Sequence, residues 1–214
     1  MAGTAISIVV LGLTGIASLP ALTDMFAAPV PEKIIVNICV GATNSIAPDG
    51  SLGGNAPSAS VYDVNEKFLG FGSGADTTIV DGGSLQLSIG GEEGGLTSVT
   101  PEYIQLYATG SDAVCVAWFT TTSSSSTGYD FRTWNEATTQ HCDMAWYPST
   151  AQFPGLTTSY KPPCFWMSND GRFAKGFSAR LSDFFFPGSS GPANEIASQW
   201  SMFKDTLCHA PARQ

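Results

Sequence analysis

Charge is what this sequence has least of. Asp, Glu, Lys and Arg make up 13% of its 214 residues, about half the share of an ordinary soluble domain, which leaves little material for long solvated helices. Nine Lys and Arg stand against eighteen Asp and Glu, for a formal net charge of −9. A phosphate backbone is held by clustered cations that displace its counterions, so no nucleic-acid partner is expected. There are only two histidines, His141 and His209, each directly beside a cysteine. No Gly-flanked serine elbow or Gly-Asp-Ser-Gly loop accompanies them, and Gly176-Phe-Ser-Ala-Arg180 is the nearest fragment to a serine hydrolase signature. Cys-x-x-Cys is also missing, which removes local support for a zinc site or a thioredoxin-like redox pair. No EF-hand spacing occurs either, and Asp81-Gly-Gly83 and Asn169-Asp-Gly171 read as plain turns. No cofactor or metal is expected.

What the chain does have is apolar residues, at 43%, interrupted by many short Gly, Ser and Thr stretches. That is enough for one core, and the expectation is a single β domain over residues 33–210. Met1 to Thr23 carries no charge, and Ile6 to Leu22 is dominated by Ile, Val, Leu, Ala and Gly. This reads as a signal peptide over residues 1–23, which places the protein outside the cell. Gly12, Gly15 and Pro20 favour a cleaved segment over a membrane anchor, and no later run is long and apolar enough to span a bilayer. No membrane association is therefore expected after cleavage. Five cysteines follow the leader: Cys39, Cys115, Cys142, Cys164 and Cys208. In an oxidising compartment these are disulfide candidates, with one left over. Cys115, in an apolar strand, fits either a buried thiol or half of an intersheet bridge. Cys142 and Cys164 bracket the Pro-rich region and are the first pair to link.

Lys33 to Val40 is β-branched and short, as a strand should be. Asn44 to Ser58 has the composition of a surface loop. Ala59 to Asp63 and Phe68 to Phe71 flank Val64-Asn-Glu-Lys67 as a hairpin would. Ser84 to Ile89 alternates strictly, placing Leu85, Leu87 and Ile89 on one face. Tyr103 to Ala108 alternates with Ile104 and Leu106 inward, and Ala113 to Phe119 is apolar on both sides. These last two are expected to pair across Thr109-Gly-Ser-Asp112 at the centre of a sheet. Thr120 to Gly128 reads as a loop open to O-glycosylation, and Tyr129 to Trp146 as an irregular segment. Phe165 to Ser168 and Phe173 to Ser178 look like a second hairpin. One helix is expected near the end, with Pro192 in its first turn and Ile196, Trp200, Phe203 and Leu207 on one face. The fold class is mainly β: an antiparallel β-sandwich or partly closed barrel with one C-terminal helix.

The order Asp112-Ala-Val-Cys-Val-Ala-Trp118, His141-Cys-Asp-Met-Ala-Trp-Tyr-Pro-Ser149 and Tyr160-Lys-Pro-Pro-Cys-Phe-Trp166 resembles small cysteine-containing secreted proteins of filamentous fungi. The matching residues are Cys115, Cys142, Trp146, Tyr147, Pro162, Cys164 and Trp166. The resemblance implies a secreted domain with disulfide bridges and carries no settled activity. His141 and Asp143 depart from the glycine-rich surroundings expected at Cys142.

Function has to be read from exposed side chains. Trp118 and Trp166 read as core. Trp134, Glu136, Trp146 and Tyr147 lie in polar, irregular segments and form the candidate binding surface, since flat aromatic rings stack on sugars while polar neighbours orient them. The leading expectation is a secreted non-catalytic binding protein for carbohydrate or an extracellular protein. The alternatives are a polysaccharide hydrolase using a carboxylate pair and a structural surface or assembly protein.

Overall fold

A computed structural model of the protein describes residues 33–43, 51–90, 101–125, 128–133, 144–154 and 160–181. Its strands, in chain order, are β1 (Lys33–Val40), β2 (Gly54–Asn55), β3 (Ser58–Tyr62), β4 (Phe68–Gly72), β5 (Thr78–Ile79), β6 (Ser84–Gly90), β7 (Tyr103–Tyr107), β8 (Val114–Ser125), β9 (Gly128–Thr133), β10 (Trp146–Tyr147), β11 (Cys164–Met167) and β12 (Gly176–Arg180). The protein is mainly β, and all strand pairs are antiparallel. The first sheet runs β10-β11-β8-β1-β6 with β9 also on β8, the second β12-β7-β3-β4, and the third is the pair β2-β5. The expected C-terminal helix lies outside the described residues.

The core lies between the two larger sheets. Period-two alternation sends Ile34, Val36 and Ile38 of β1 and Leu85, Leu87 and Ile89 of β6 inward, all buried. From the second sheet Ala59, Val61, Ile104, Leu106 and Ala179 are buried in turn. Gly70 and Gly72 let β4 close one side of the sandwich. A Cβ on Gly70 would lie 2.5 Å from Ile89 Cγ2, and one on Gly72 2.9 Å from Leu87 Cβ.

β8 is the longest strand, and its two ends have different neighbours. One edge follows β1, while the other pairs Val114–Val116 with β11 and Thr120–Ser125 with β9. Between them Cys39 faces Trp118 but Val40 faces Val116, leaving Ala117 as the extra residue of a β-bulge. Without the bulge, residues 116 and 119 would point to opposite faces. With it, Phe119 and the cross-strand partner of Val116, Phe165, both reach Phe177 of β12, at ring distances of 6.3 and 5.3 Å. Trp118 is turned to the outer face, where its Nε1 donates to the Gln152 carbonyl at 3.1 Å and its ring meets Phe153 edge-on. Towards the other end of the strand that face carries a polar ladder. Gln86 Nε2 donates to Asn37 Oδ1 at 3.0 Å, and Asn37 Nδ2 to Thr120 Oγ1 at 3.3 Å.

Several expectations need correcting. Thr120 to Ser125 is strand, not loop, because β-branched Thr suits a pleated surface and this run pairs with β9 throughout and with β1 at Thr120–Thr122; residues 126–127 lie outside the description. Tyr129 to Thr133 is likewise not irregular: it belongs to strand β9, paired with β8. β7 and β8 do not pair: they belong to different sheets, and the chain crosses between them because Asn55 and Asn169 hold the connecting residues in place. β11 and β12 likewise sit in different sheets, and Met167 at the end of β11 forms an isolated parallel bridge with Ala174 ahead of β12. Residues 51–57 are no surface loop, since Leu52, Gly53, Gly54, Ala56 and Pro57 are buried.

Among the described residues Cys115 and Cys164 form a disulfide, with Cα atoms 5.2 Å apart. This excludes the Cys142–Cys164 pairing. The bond joins neighbouring strands of one sheet, not two sheets, because Cys164 is two residues from Trp166, the direct partner of Cys115, and so shares its face. Cys39 is a buried free thiol. Cys142 and Cys208 lie outside the described residues.

Candidate functional site

A cleft of about 600 Å³ opens on the outer face of the first sheet, between its β10 edge and the small β2-β5 sheet. That volume falls within the range of small-ligand sites. Its first wall starts from a carboxylate. Asp81 Oδ1 accepts from Ser51 Oγ at 2.8 Å and from the backbone N–H groups of Leu52 and Gly53 at 2.5 and 2.9 Å. One acidic side chain thereby fixes the chain leading into β2. Gly54 then lies directly against the Ala113 carbonyl, where a Cβ would approach to 2.1 Å, so only glycine allows this contact. Leu52 adds a bridge to the sheet, its carbonyl accepting from Cys115 N at 2.9 Å.

The rim is a chain of backbone–backbone and side-chain to backbone hydrogen bonds. Asn55 N donates to the Asp112 carbonyl at 3.0 Å, and Asn55 Oδ1 accepts from Asp112 N at 2.9 Å. From the opposite side Asn169 N donates to Gly110 O at 2.8 Å, and Arg172 Nη2 to Ser111 O at 3.1 Å. Arg172 Nε is also bonded to Asp170 Oδ2. Asp170 organises its own turn, with Oδ1 accepting from Ser168 Oγ at 2.6 Å and from Arg172 N at 3.0 Å. The Ser168 hydroxyl, followed by the Arg172 backbone N–H, holds the Asp170 carboxyl down at about 2. It stays ionised at any ordinary pH, so the turn and the guanidinium position are not sensitive to neutral titration.

The aromatic part is mounted on the disulfide. Trp166 is the cross-strand partner of Cys115 and Tyr147 that of Cys164, and both aromatic residues line the cleft. Trp166 stacks on Phe173 with ring centroids 5.5 Å apart and planes 22° apart. Its backbone N–H donates to Ala145 O at 2.9 Å, which sets β10 alongside β11. Trp146 also lines the cleft and is 49% exposed. The cleft lining thus includes four aromatic residues together with Asp112 and Arg172.

Of the residues picked out in the sequence, Trp146 and Tyr147 lie at this cleft, while Trp134 and Glu136 fall outside the described residues. Trp166 was expected in the core; it packs against the core half-buried and also borders the cleft. Its neighbours Phe165 and Met167 are buried, and strand alternation alone would have turned Trp166 to the other face. Phe173 and Arg172 were missed, because each sits in a turn whose partners are distant in sequence, and Asp112 stood out only as one of many acidic residues open to a carboxylate pair. Among the described residues no group of three His, Cys, Asp or Glu is placed to hold a metal ion. The cleft's described lining contains one carboxylate, Asp112. Compared with family models, curated proteins and solved structures, the chain matches none.

Proposed function

We propose that the protein is a secreted, non-catalytic carbohydrate-binding protein whose ligand seats in the cleft of Trp146, Tyr147, Trp166 and Phe173. The observation that carries this reading is the combination of an aromatic-rich cleft lining with a rim fixed by backbone hydrogen bonds. Aromatic faces cover the apolar C–H surface of a sugar ring, and a pre-ordered polar rim orients its hydroxyls without a further ordering cost. The single carboxylate of the described lining favours binding over glycoside hydrolysis, which ordinarily uses two carboxyl groups about 5 to 10 Å apart. The disulfide is compatible with an extracellular setting, as are the uncharged leader and the resemblance to small secreted fungal proteins.

The test is retention on a panel of immobilised cell-wall and host glycans. Trp146→Ala should weaken binding about tenfold or more, the effect of removing a central aromatic anchor. Trp166→Phe, which keeps a ring over Phe173, should weaken it less. The thermal transition of Trp146→Ala should match the wild type, since that side chain is half exposed. If the wild-type protein retains no glycan, or Trp146→Ala retains it undiminished, the reading is wrong.

A further inference from the structure

The charges around the cleft are unequal in what they have left to offer. Arg172 spends its Nε on Asp170 and its Nη2 on the Ser111 carbonyl, so its positive charge is countered before any ligand arrives. Asp112 differs. Its backbone is fixed on both sides by Asn55, its side chain is exposed on the cleft lining, and its carboxylate takes no hydrogen bond or ion pair from the described residues. What the cleft presents is therefore a rigidly mounted anion with no partner among the described residues, in a lining that includes four aromatic residues. Both features attract a cation: the carboxylate by direct charge, the rings through their negative π faces. The chain's net charge of −9 acts in the same direction, favouring cationic polymers and opposing uronate-rich ones.

We propose that this cleft selects polysaccharide bearing free amino groups, a glucosamine-type polymer, with Asp112 receiving the ammonium while the aromatic lining stacks on the ring. The proposal rests on the carbohydrate reading of the site. A lysine-rich peptide offers the same charge, but the backbone disfavours it. An extended peptide binds by adding a strand to a free edge, and the strands bordering this cleft, β5 and β10, are two residues long each. So short an edge offers no ladder, whereas stacked rings need none.

The experiment titrates the full-length protein with glucosamine oligomers, the fully N-acetylated oligomers of equal length, oligogalacturonate and a lysine-rich peptide, each at low and high salt. The free-amine oligomer should bind about fivefold tighter than its acetylated counterpart, as one exposed ion pair allows. High salt should shrink that ratio, and Asp112→Asn should remove it. The wild-type comparison needs no variant, so the outcome does not depend on Asp112→Asn folding. Equal or tighter binding of the acetylated oligomer, or a preference that survives Asp112→Asn, overturns this proposal while leaving the carbohydrate reading in place. Tighter binding of the peptide than of either amino sugar overturns it in favour of a protein ligand. Failure of every sugar to bind overturns both.

Discussion

The two ends of β8 solve the same problem in opposite ways. At Val114–Trp118 the strand is apolar on both faces, stapled to β11 by Cys115–Cys164 and covered by Trp118 and Phe153. At Thr120–Ser125 the side chains are small and hydroxylic, and cohesion comes from backbone pairing to β1 and β9 with the Asn37–Gln86 ladder alongside. Both stretches are extended backbone, held on two edges at Val114–Val116 and Thr120–Thr122. The difference lies in what fills the faces. A covalent, aromatic end can carry a site on its outer surface without losing its position, and a hydroxylic end supplies continuity of the sheet.

The comparison is broken most severely by removing the staple. Replacing Cys115 and Cys164 together by Ala should lower the unfolding free energy by about 2 to 4 kcal/mol, because the unfolded chain regains the freedom of the loop they close. The same change should also remove glycan binding, since β10 and β11 carry Trp146 and Trp166. A denaturant titration beside a binding assay checks both; a variant that binds normally would separate the disulfide from the site. At the other end, Thr121 Oγ1 and Thr122 Oγ1 are buried and have no hydrogen-bond partner among the described residues. Thr→Val at either position keeps the shape and removes an unsatisfied hydroxyl, so stability should rise by up to about 1 kcal/mol. A fall in the denaturation midpoint would mean that these hydroxyls are bonded in solution.

The smallest effect concerns Cys39, which faces Trp118 between the two ends. Burial pushes its thiol up to about 12 from the ordinary 9. The folded form thus holds its proton after the unfolded chain has lost it. The resulting contribution to stability is present below pH 9 and is lost as pH rises from 9 towards 12. Cys39→Ala should flatten that alkaline decline, read from melting temperatures across the window. Modification mapped to the Cys39 peptide should be slow in the native protein and fast once it is unfolded.

Which parts of this architecture were legible in the sequence follows from where the determining contacts lie. β6 could be read directly because Ser84, Gln86 and Ser88 face outward while Leu85, Leu87 and Ile89 do not. The β3–β4 hairpin was legible for a similar reason: its turn is local, with Asp63 Oδ1 accepting from Asn65 N and Lys67 N at 2.8 Å each. The hydroxylic end of β8 was misread because Ser and Thr serve loops and strands equally. Sheet membership of β7, β8, β11 and β12 depends on Asn55 and Asn169, whose partners lie far along the chain. The disulfide partner depends on the register of strands 49 residues apart. Of the site, Trp146 and Tyr147 were visible as aromatics in an irregular stretch, but the rim that orients a ligand exists only once three distant turns meet.

The interlock at that rim also limits how the protein can change. A Cβ on Gly110 would lie 2.2 Å from Asn55 Oδ1, and one on Gly54 would strike the Ala113 carbonyl. Neither glycine can vary without moving Asn55, and Asn55 sets Asp112. Insertions and drift that commonly diversify binding loops are therefore closed to this one. New ligand preferences must come from exchange of the projecting side chains, Asp112, Trp146 and Arg172, on a frame that stays the same.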